Sequence, residues 1–443
     1  MSDSLIETDT GVPTRGKLLF EGRDILARGY FPDDARTLIV SFTSRTENPE
    51  QGHRKEGFGE RFLDASGVAY LCFISRANHW WQTAEVEDCF RAIDAKYGLE
   101  RYQRVITYGS SMGAYGALIF SRLLRASLVL AFSPQASIAG TELPIMPQWR
   151  IDMEGVPIIL EPISRGLSET AQIVIPFDSI NVLDLAHVRA LEAIRPCERL
   201  VVPMSGHKTS LFLNDGGLLK SIVLAGVEQP VSVARLRQMI RDGRQSSWRY
   251  WSVLAARFKN RKWLDVAAAA EKQSLDLMAA SGVPEEDQHA SARRYVSRLI
   301  SARQGRLAIE FARGWVETHP SAWQAHDLYS QALIARAKVK PAISAARAAV
   351  ELKPRNAQLQ LRLVTLLADN GKRDIANRHL QEAVKGTGAG GTDWLNAALA
   401  LQRGGDEIGS RLAAEQGLAA AGADQKIVRQ LQELASGKES QAV

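Results

Sequence analysis

No run in this chain approaches the ~20 consecutive apolar residues that cross a bilayer, so no transmembrane segment is expected. Cysteine is nearly absent: Cys72, Cys89 and Cys197 are the three in 443 residues. Their spacing suits neither a disulfide framework nor a metal site. They read as packing residues of a reducing compartment, and neither a metal nor another cofactor is expected. The first sixteen residues, MSDSLIETDTGVPTRG, are polar and acidic and lack the basic start and apolar core of a secretory leader. A cytoplasmic location is the expectation. A large net charge is also missing from the whole, at +6, but the two halves differ. Residues 1–230 carry 23 Lys+Arg against 28 Asp+Glu, and residues 231–443 carry 32 against 21. Such asymmetry, in a chain too long for one ordinary domain, predicts two parts with separate tasks.

What is present in the first part is an alternation of buried-strand runs with helical periodicity. KLLFEGRDILARGY (17–30) reads as two short strands, followed by TLIVSF (37–42), VAYLCFIS (68–75), a run through Val105 and Tyr108, SLVLAFS (127–133), QIVIPF (172–177) and RLVVPM (199–204). Helical spacing recurs at Val86, Cys89, Phe90 and Ile93, from about Leu185, and near 210–225. This predicts a mostly parallel sheet with helices on both faces. Ligands bind such sheets beyond the carboxyl ends of the strands, which places the 43–60 and 76–83 loops on one functional rim. The pattern weakens over 134–171, read as an insertion capping that rim.

The stretch RVITYGSSMGAYGA (104–117) is a strand, then Gly109-Ser110-Ser111-Met112-Gly113, then a helix packed by small residues. Strand, G-x-S-x-G, helix is the context of a nucleophile elbow. The turn is so sharp that the positions two before and two after the serine tolerate almost no side chain. Ser111 is therefore the candidate nucleophile, and the backbone N–H of Met112 is a candidate oxyanion donor.

A serine nucleophile needs a base and an acid, in chain order Ser, Asp/Glu, His. His207 follows the last strand and is the candidate base. Asp178 and Asp184 both follow QIVIPF; Asp184 is preferred because a carboxylate a few residues beyond the strand can curl toward His207, although it would also cap the next helix. His187 reads as a helix-surface residue. The second oxyanion donor is expected at the backbone of Thr43 or Ser44. Asn78, His79, Trp80 and Trp81 share the rim as candidate substrate contacts, the two tryptophans offering an acyl or sugar platform or simple helix-start packing.

With these residues in place, the stretch 17–228 resembles the α/β-hydrolase superfamily. The resemblance implies Ser111 as nucleophile, His207 as base, Asp184 or Asp178 as acid, and ester, thioester or amide substrates handled through an acyl-enzyme. A serine hydrolase acting on a small-molecule or polymer-borne ester, as a carboxylesterase or deacetylase, is the first expectation. An O-acyltransferase using the same triad and a non-catalytic scaffold are the alternatives.

The second part is helical and rich in Ala, Arg and Leu. Residues 235–262 hold nine Lys/Arg against one acid, with Trp248, Tyr250, Trp251 and Phe258 interleaved. No nucleic-acid motif accompanies them, so 229–288 is read as a basic helical connector docking onto the acidic half, and nucleic acid is not an expected partner. Pro320 and Pro354 lie 34 apart, as do Ala342 and Ala376, and Ala349 and Ala383. Ala413 and Ala420 continue the series after a three-residue slip at KGTGAGG, with Trp323 and Trp394 in one register. Residues 289–434 thereby resemble tetratricopeptide (TPR) repeats. The resemblance implies an all-α solenoid whose concave face binds a protein partner, expected to be acidic from the charge of this half. Residues 1–16 and 435–443 are expected to be flexible.

Overall fold

The computed structural model describes residues 15–46, 56–139, 142–227, 230–422 and 424–436. Eight strands form one sheet: β1 (Lys17–Glu21), β2 (Ile25–Tyr30), β3 (Thr37–Phe42), β4 (Ala69–Ser75), β5 (Arg104–Ser110), β6 (Leu128–Phe132), β7 (Gln172–Phe177) and β8 (Glu198–Val201). Their order is β1-β2-β4-β3-β5-β6-β7-β8. β2 pairs antiparallel with β1 and β4, and every pairing from β4 through β3 to β8 is parallel.

The helices of this unit are α1 (Glu60–Ala65), α2 (Glu85–Tyr97), α3 (Met112–Ile119), α4 (Pro147–Asp152), α5 (Val182–Ile194), α6 (Thr209–Asp215), α7 (Leu219–Leu224) and α8 (Val233–Gly243), and α9 (Trp248–Asn260) begins in it and ends in the next. Because successive strand residues point to opposite faces, the sheet serves two cores. Leu38, Val40 and Phe42 pack with Val86 and Phe90 of α2, Tyr115 and Leu118 of α3, and Val188 and Leu191 of α5. Ile39, Ile106 and Tyr108 pack with Leu63 of α1, Phe212 of α6, Ile222 of α7 and Leu236 of α8. Burial on both faces is why the strands read as continuous apolar runs rather than alternating ones.

Three details depart from the reading above. The helix anticipated near 210–225 is two, α6 and α7, broken at Gly216-Gly217, where Gly217 has φ +69°. The helix anticipated from Leu185 begins at Val182, capped by Asn181. The division of the chain falls between Leu254 and Ala255. Val231, Val233, Leu236, Ile240 and Tyr250 belong to the second sheet-face core, so the apolar stripe of the basic stretch is part of the first unit's interior while Arg235, Arg237 and Arg241 stay at its surface.

The second unit is helical throughout: α10 (Leu264–Ala280), α11 (Glu285–Ser301), α12 (Gly305–Thr318), α13 (Trp323–Ile334), α14 (Val339–Leu352), α15 (Ala357–Asp369), α16 (Arg373–Val384), α17 (Gly391–Arg403), α18 (Glu407–Ala420) and α19 (Gln425–Ala435). The second helices of successive pairs, α12, α14, α16 and α18, begin at Gly305, Val339, Arg373 and Glu407, each 34 residues after the last. The register therefore runs on without the anticipated slip. Ala308, Ala342 and Ala376 are followed by buried Ser410, and Ala349 and Ala383 by buried Gly417, each small enough for close helix contact. Trp323 and Trp394 are not equivalent, standing first in α13 and fourth in α17. A polar ladder links the first helices of neighbouring pairs: Arg362 with Asp327, Gln358 with Asp393, and Arg403 with Asp369.

Each turn inside a pair is closed by a residue in the left-handed region, at Arg303, Ala337, Gly371 and Gly405. That conformation suits glycine and strains a residue with a Cβ. Ala337→Gly, at φ +54°, is expected to stabilise the protein by about 1 kcal/mol, read as a higher urea midpoint at unchanged m-value; an unchanged or lower midpoint would mean the turn carries no strain.

Candidate active site

The elbow is built by steric necessity. Ser111 sits between β5 and α3 at φ +54°, ψ −118°, a strained conformation for any residue with a side chain. Its N–H donates to the Phe132 carbonyl of β6 (2.9 Å) and its carbonyl accepts from Tyr115 (3.0 Å), so the turn is held from both sides. A Cβ on Gly109 would lie 2.2 Å from the Gly113 carbonyl oxygen, and one on Gly113 would lie 2.2 Å from that of Phe42. A Cβ on Gly116 would meet the Trp81 ring at 2.7 Å. All three glycines are required for α3 to leave the sheet this closely.

The side chains anticipated around Ser111 converge on it. His207, beyond β8, has Nε2 2.9 Å from Ser111 Oγ and Nδ1 2.7 Å from Asp184 Oδ1. A carboxylate only accepts, so His207 carries its proton on Nδ1 and leaves Nε2 to take the serine proton. Asp184 is 1 % exposed and stands in the first turn of α5, where the positive end of the helix favours its charge. It does not cap that helix; Asn181 does, accepting from Leu183 and Asp184. Asp178 lies outside the chain of contacts. Its Oδ1 accepts from the Ile180 N–H (3.1 Å) and its Oδ2 from the Gly206 N–H (3.1 Å), so it shapes the loop that carries His207.

The residues anticipated as oxyanion donors divide. Met112 is the first residue of α3, and a first-turn N–H has no acceptor within its own helix. The Thr43 N–H is committed to the sheet, donating to Phe73 (3.2 Å), and its hydroxyl accepts from Ser75 (2.9 Å). Of the two anticipated residues this leaves Ser44. The loop runs close by, since a Cβ on Gly113 would also lie 2.9 Å from the Thr43 carbonyl oxygen. The part of the 43–60 loop from 47 to 55 lies outside the described residues.

Asn78 clasps that loop, accepting from the Thr46 N–H (2.9 Å) and donating to the Thr46 carbonyl (3.0 Å). His79 is buried and braces its own turn, accepting from the Trp81 N–H at Nδ1 (3.0 Å) and reaching the Asp24 carbonyl from Nε2 (3.1 Å). Burial holds its pKa below the ordinary histidine value. Trp80 and Trp81 are both 0 % exposed and offer no surface platform. Trp81 packs edge-on against Phe42, and Trp80 lies beneath the site. Backbone strain gathers here: in the first unit the described non-glycine residues with positive φ are Trp80, Trp81, Ser111, Ser133, Met204 and Arg125. All but Arg125 follow the carboxyl ends of strands, where strain of about 1–3 kcal/mol per residue persists only when the surroundings enforce it.

Four contacts had no motif to announce them. Trp149 of α4, within the segment read as a cap, lies with its ring centroid 5.0 Å from that of His207 and 6.1 Å from that of Trp80. Asp152 of the same helix pairs with Arg45 of the loop after β3. Gln135, beyond β6, approaches Ser111 itself. His187, anticipated at the surface, is 0 % exposed. Its Nδ1 accepts from the Ala136 N–H (3.1 Å) and its Nε2 donates to the Pro144 carbonyl (3.1 Å), tying both ends of the cap's first stretch to α5. A lone tryptophan in an otherwise irregular insertion was the one available hint.

No protein-family profile matches the chain, and no curated protein matches it. Among solved structures, a thermophilic TPR protein of Thermus thermophilus is similar over 42 % of this chain and 98 % of its own, at 15 % identity and TM-score 0.34. The capsule O-acetyltransferase of Neisseria meningitidis serogroup A is similar over 53 % of this chain and 95 % of its own, at 13 % identity and TM-score 0.34. YrrB, a TPR protein with an unusual peptide-binding site, is similar over 44 % and 96 %, at 12 % identity and TM-score 0.29.

Burial depresses the His187 pKa most, with a partial offset from the Pro144 carbonyl and from Asp184 and a smaller push down from the neighbouring His207. The unfolded chain therefore binds this proton first, near the ordinary value of ~6.5. Stability that His187 contributes is complete above that value and is lost as pH falls toward the folded pKa. Wild type should lose urea stability as pH falls below about 6.5 more steeply than His187→Gln, which keeps a polar group without the titration. Parallel pH profiles would mean that His187 is not held neutral.

Proposed function

We propose that the first unit is an α/β-hydrolase-type serine esterase that cleaves an ester through an acyl-enzyme. The observation that carries this reading is the unbroken path Asp184–His207–Ser111, with contacts of 2.7 and 2.9 Å. Its members follow β7, β8 and β5, in the chain order Ser, Asp, His. As the substrate carbonyl approaches, Ser111 Oγ forms the new C–O bond while its proton passes to His207 Nε2. Asp184 keeps the ring oriented and stabilises the imidazolium. The carbonyl oxygen takes the negative charge in reach of the Met112 N–H, with Ser44 as the second donor. Collapse expels the alcohol, which receives the His207 proton; water then repeats the sequence and frees the acid. Trp149, whose ring centroid lies 5.0 Å from that of His207, gives the site an apolar wall, which strengthens each of these charge interactions by excluding water.

The second unit supports a recruiting role. A groove of about 460 Å³ is lined by Lys259, Arg293, Arg294 and Arg298, with Ser297 and Gln331 offering polar contacts. Buried Glu271 fixes two of its lining side chains, both on α11, by accepting from Arg294 (2.7 Å) and Arg298 (2.8 Å). The remaining positive charge favours an acidic partner, which would bring substrate to the esterase.

Ser111→Ala should reduce kcat on p-nitrophenyl acetate by roughly a millionfold and Asp184→Asn by roughly 10⁴-fold, with Asp178→Asn losing far less and the Ser111→Ala thermal melt unchanged. Turnover surviving in Ser111→Ala would overturn the proposal. A truncation meant to isolate the esterase must end after α9, because one near Val227 removes Val231, Leu236, Ile240 and Tyr250 from the core. Partner capture by the full chain should weaken with salt, since exposed charges are screened beyond ~8 Å at physiological ionic strength; capture indifferent to salt would remove the electrostatic part.

A further inference from the structure

Gln135 is fully buried, 0 % exposed, just beyond β6. Its amide has three partners. Oε1 accepts from the Trp80 indole N–H at 3.2 Å, and Nε2 donates to the Ser133 carbonyl at 3.4 Å and to Ser111 Oγ at 3.5 Å. The orientation of this amide follows from chemistry. An indole nitrogen only donates and a backbone carbonyl only accepts. A flipped amide would set donor against donor at Trp80 and acceptor against acceptor at Ser133. The N–H of Gln135 therefore faces the serine oxygen.

Trp80 reaches Gln135 from a strained turn. Trp80 and Trp81 have φ of +46° and +60°, rare for one bulky residue and rarer for two in succession. The turn is enforced by hydrogen bonds from Trp81 N–H to His79 Nδ1, from Gln82 N–H to the His79 carbonyl and from Thr83 N–H to the Trp81 carbonyl. Ser133, whose carbonyl receives the other amide hydrogen, is also strained at φ +46° and is anchored by Thr209 through its hydroxyl (3.0 Å). The three partners of this one buried amide, Trp80, Ser133 and Ser111, are thus all strained, and strain of this kind gathers where a position matters to function.

We infer that Gln135 is a catalytic hydrogen-bond donor to Ser111 Oγ, and that Trp80 is the positioning residue that aims it. This deepens the esterase reading and rests on Ser111 acting as nucleophile. With an N–H on one side of Oγ and His207 Nε2 on the other, the serine hydroxyl has a single acceptor, the imidazole, and its proton is held on the productive line. In acylation the proton leaves Oγ for His207 as the C–O bond forms. In deacylation the acyl C–O bond breaks, Oγ takes back the electron pair and then the proton from His207. Oγ gains partial negative charge while its proton is in transit in both steps, so the Gln135 N–H stabilises both transition states, and a contact of this length in the free enzyme shortens as that charge develops.

Full-length wild type, Gln135→Ala, Gln135→Glu, Trp80→Phe and the Trp80→Phe/Gln135→Ala double variant would be compared on p-nitrophenyl acetate and by the rate of fluorophosphonate labelling. Both Gln135 variants should lose roughly 10²-fold in kcat and in labelling rate at unchanged KM, as for a lost oxyanion-type donor. Gln135→Glu presents acceptors to the hydroxyl and should be the slower of the two. Trp80→Phe keeps the buried ring and frees the amide to flip, for a loss of about tenfold. In the Gln135→Ala background it should cost nothing more, because Trp80 acts through the amide. Gln135 variants with native melts that label within about twofold of wild type would overturn the assignment, and an undiminished Trp80→Phe effect in the Gln135→Ala background would overturn the Trp80 role. Wild type that fails to label would reject the nucleophile itself and this assignment with it.

Discussion

The first unit is organised around a close approach of backbone to backbone at its central strands. β5 must hand the chain to α3 while leaving Ser111 half-buried at the rim, and that is possible only if Gly113 lies against the Phe42 carbonyl and Gly109 against that of Gly113. Adding one methyl at either glycine would place atoms 2.2 Å apart, well inside contact distance, and force α3 away from the sheet. Central strands β3 and β5, in register from Thr37–Arg104 to Phe42–Gly109, transmit the same constraint to the loop after β3. The serine, the Met112 amide and the loop after β3 are thus set by one piece of packing.

The remaining chemistry reaches Ser111 from neighbouring strand ends. β7 leads through the Asn181 cap to Asp184, β8 leads to His207, and β6 leads to Ser133 and Gln135. Each of these loops is braced by the next. Asp178 accepts from Gly206, Ser205 and Ser133 share Thr209, and His187 binds Ala136 and Pro144. Hydrogen bonds of this kind contribute modestly one by one, about 1 kcal/mol net. Together they enforce several backbone conformations that no residue with a side chain adopts freely, and so hold Ser111, His207 and Asp184 in one arrangement.

The strands were legible because burial on both faces makes each a continuous apolar run, and the elbow was legible because its sterics demand glycine at two fixed spacings. His207 could be found by its place after the last strand. The choice between Asp184 and Asp178 rested on reach, and the contacts separate them: one carboxylate meets the imidazole while the other meets backbone amides. Thr43 was indistinguishable from Ser44 in sequence, since only strand pairing shows which amide the sheet consumes. Gln135, Trp149 and the burial of His187 depend on long-range packing with no local periodicity to betray it. In the helical half, alanine was too narrow a marker. Serine and glycine do the same close-packing work at 410 and 417, so the apparent slip arose from counting one residue type instead of all small ones.

A covalent intermediate at Ser111 is the central claim. Intact-mass spectrometry of the protein, acid-quenched within milliseconds to seconds of mixing with an activated acetyl ester, tests it directly. The predicted result is one acetyl group per chain, mapped by fragmentation to Ser111, decaying as product appears, and absent from Ser111→Ala. An unmodified Ser111 at every quench time, while the wild-type protein turns over the ester, would contradict it.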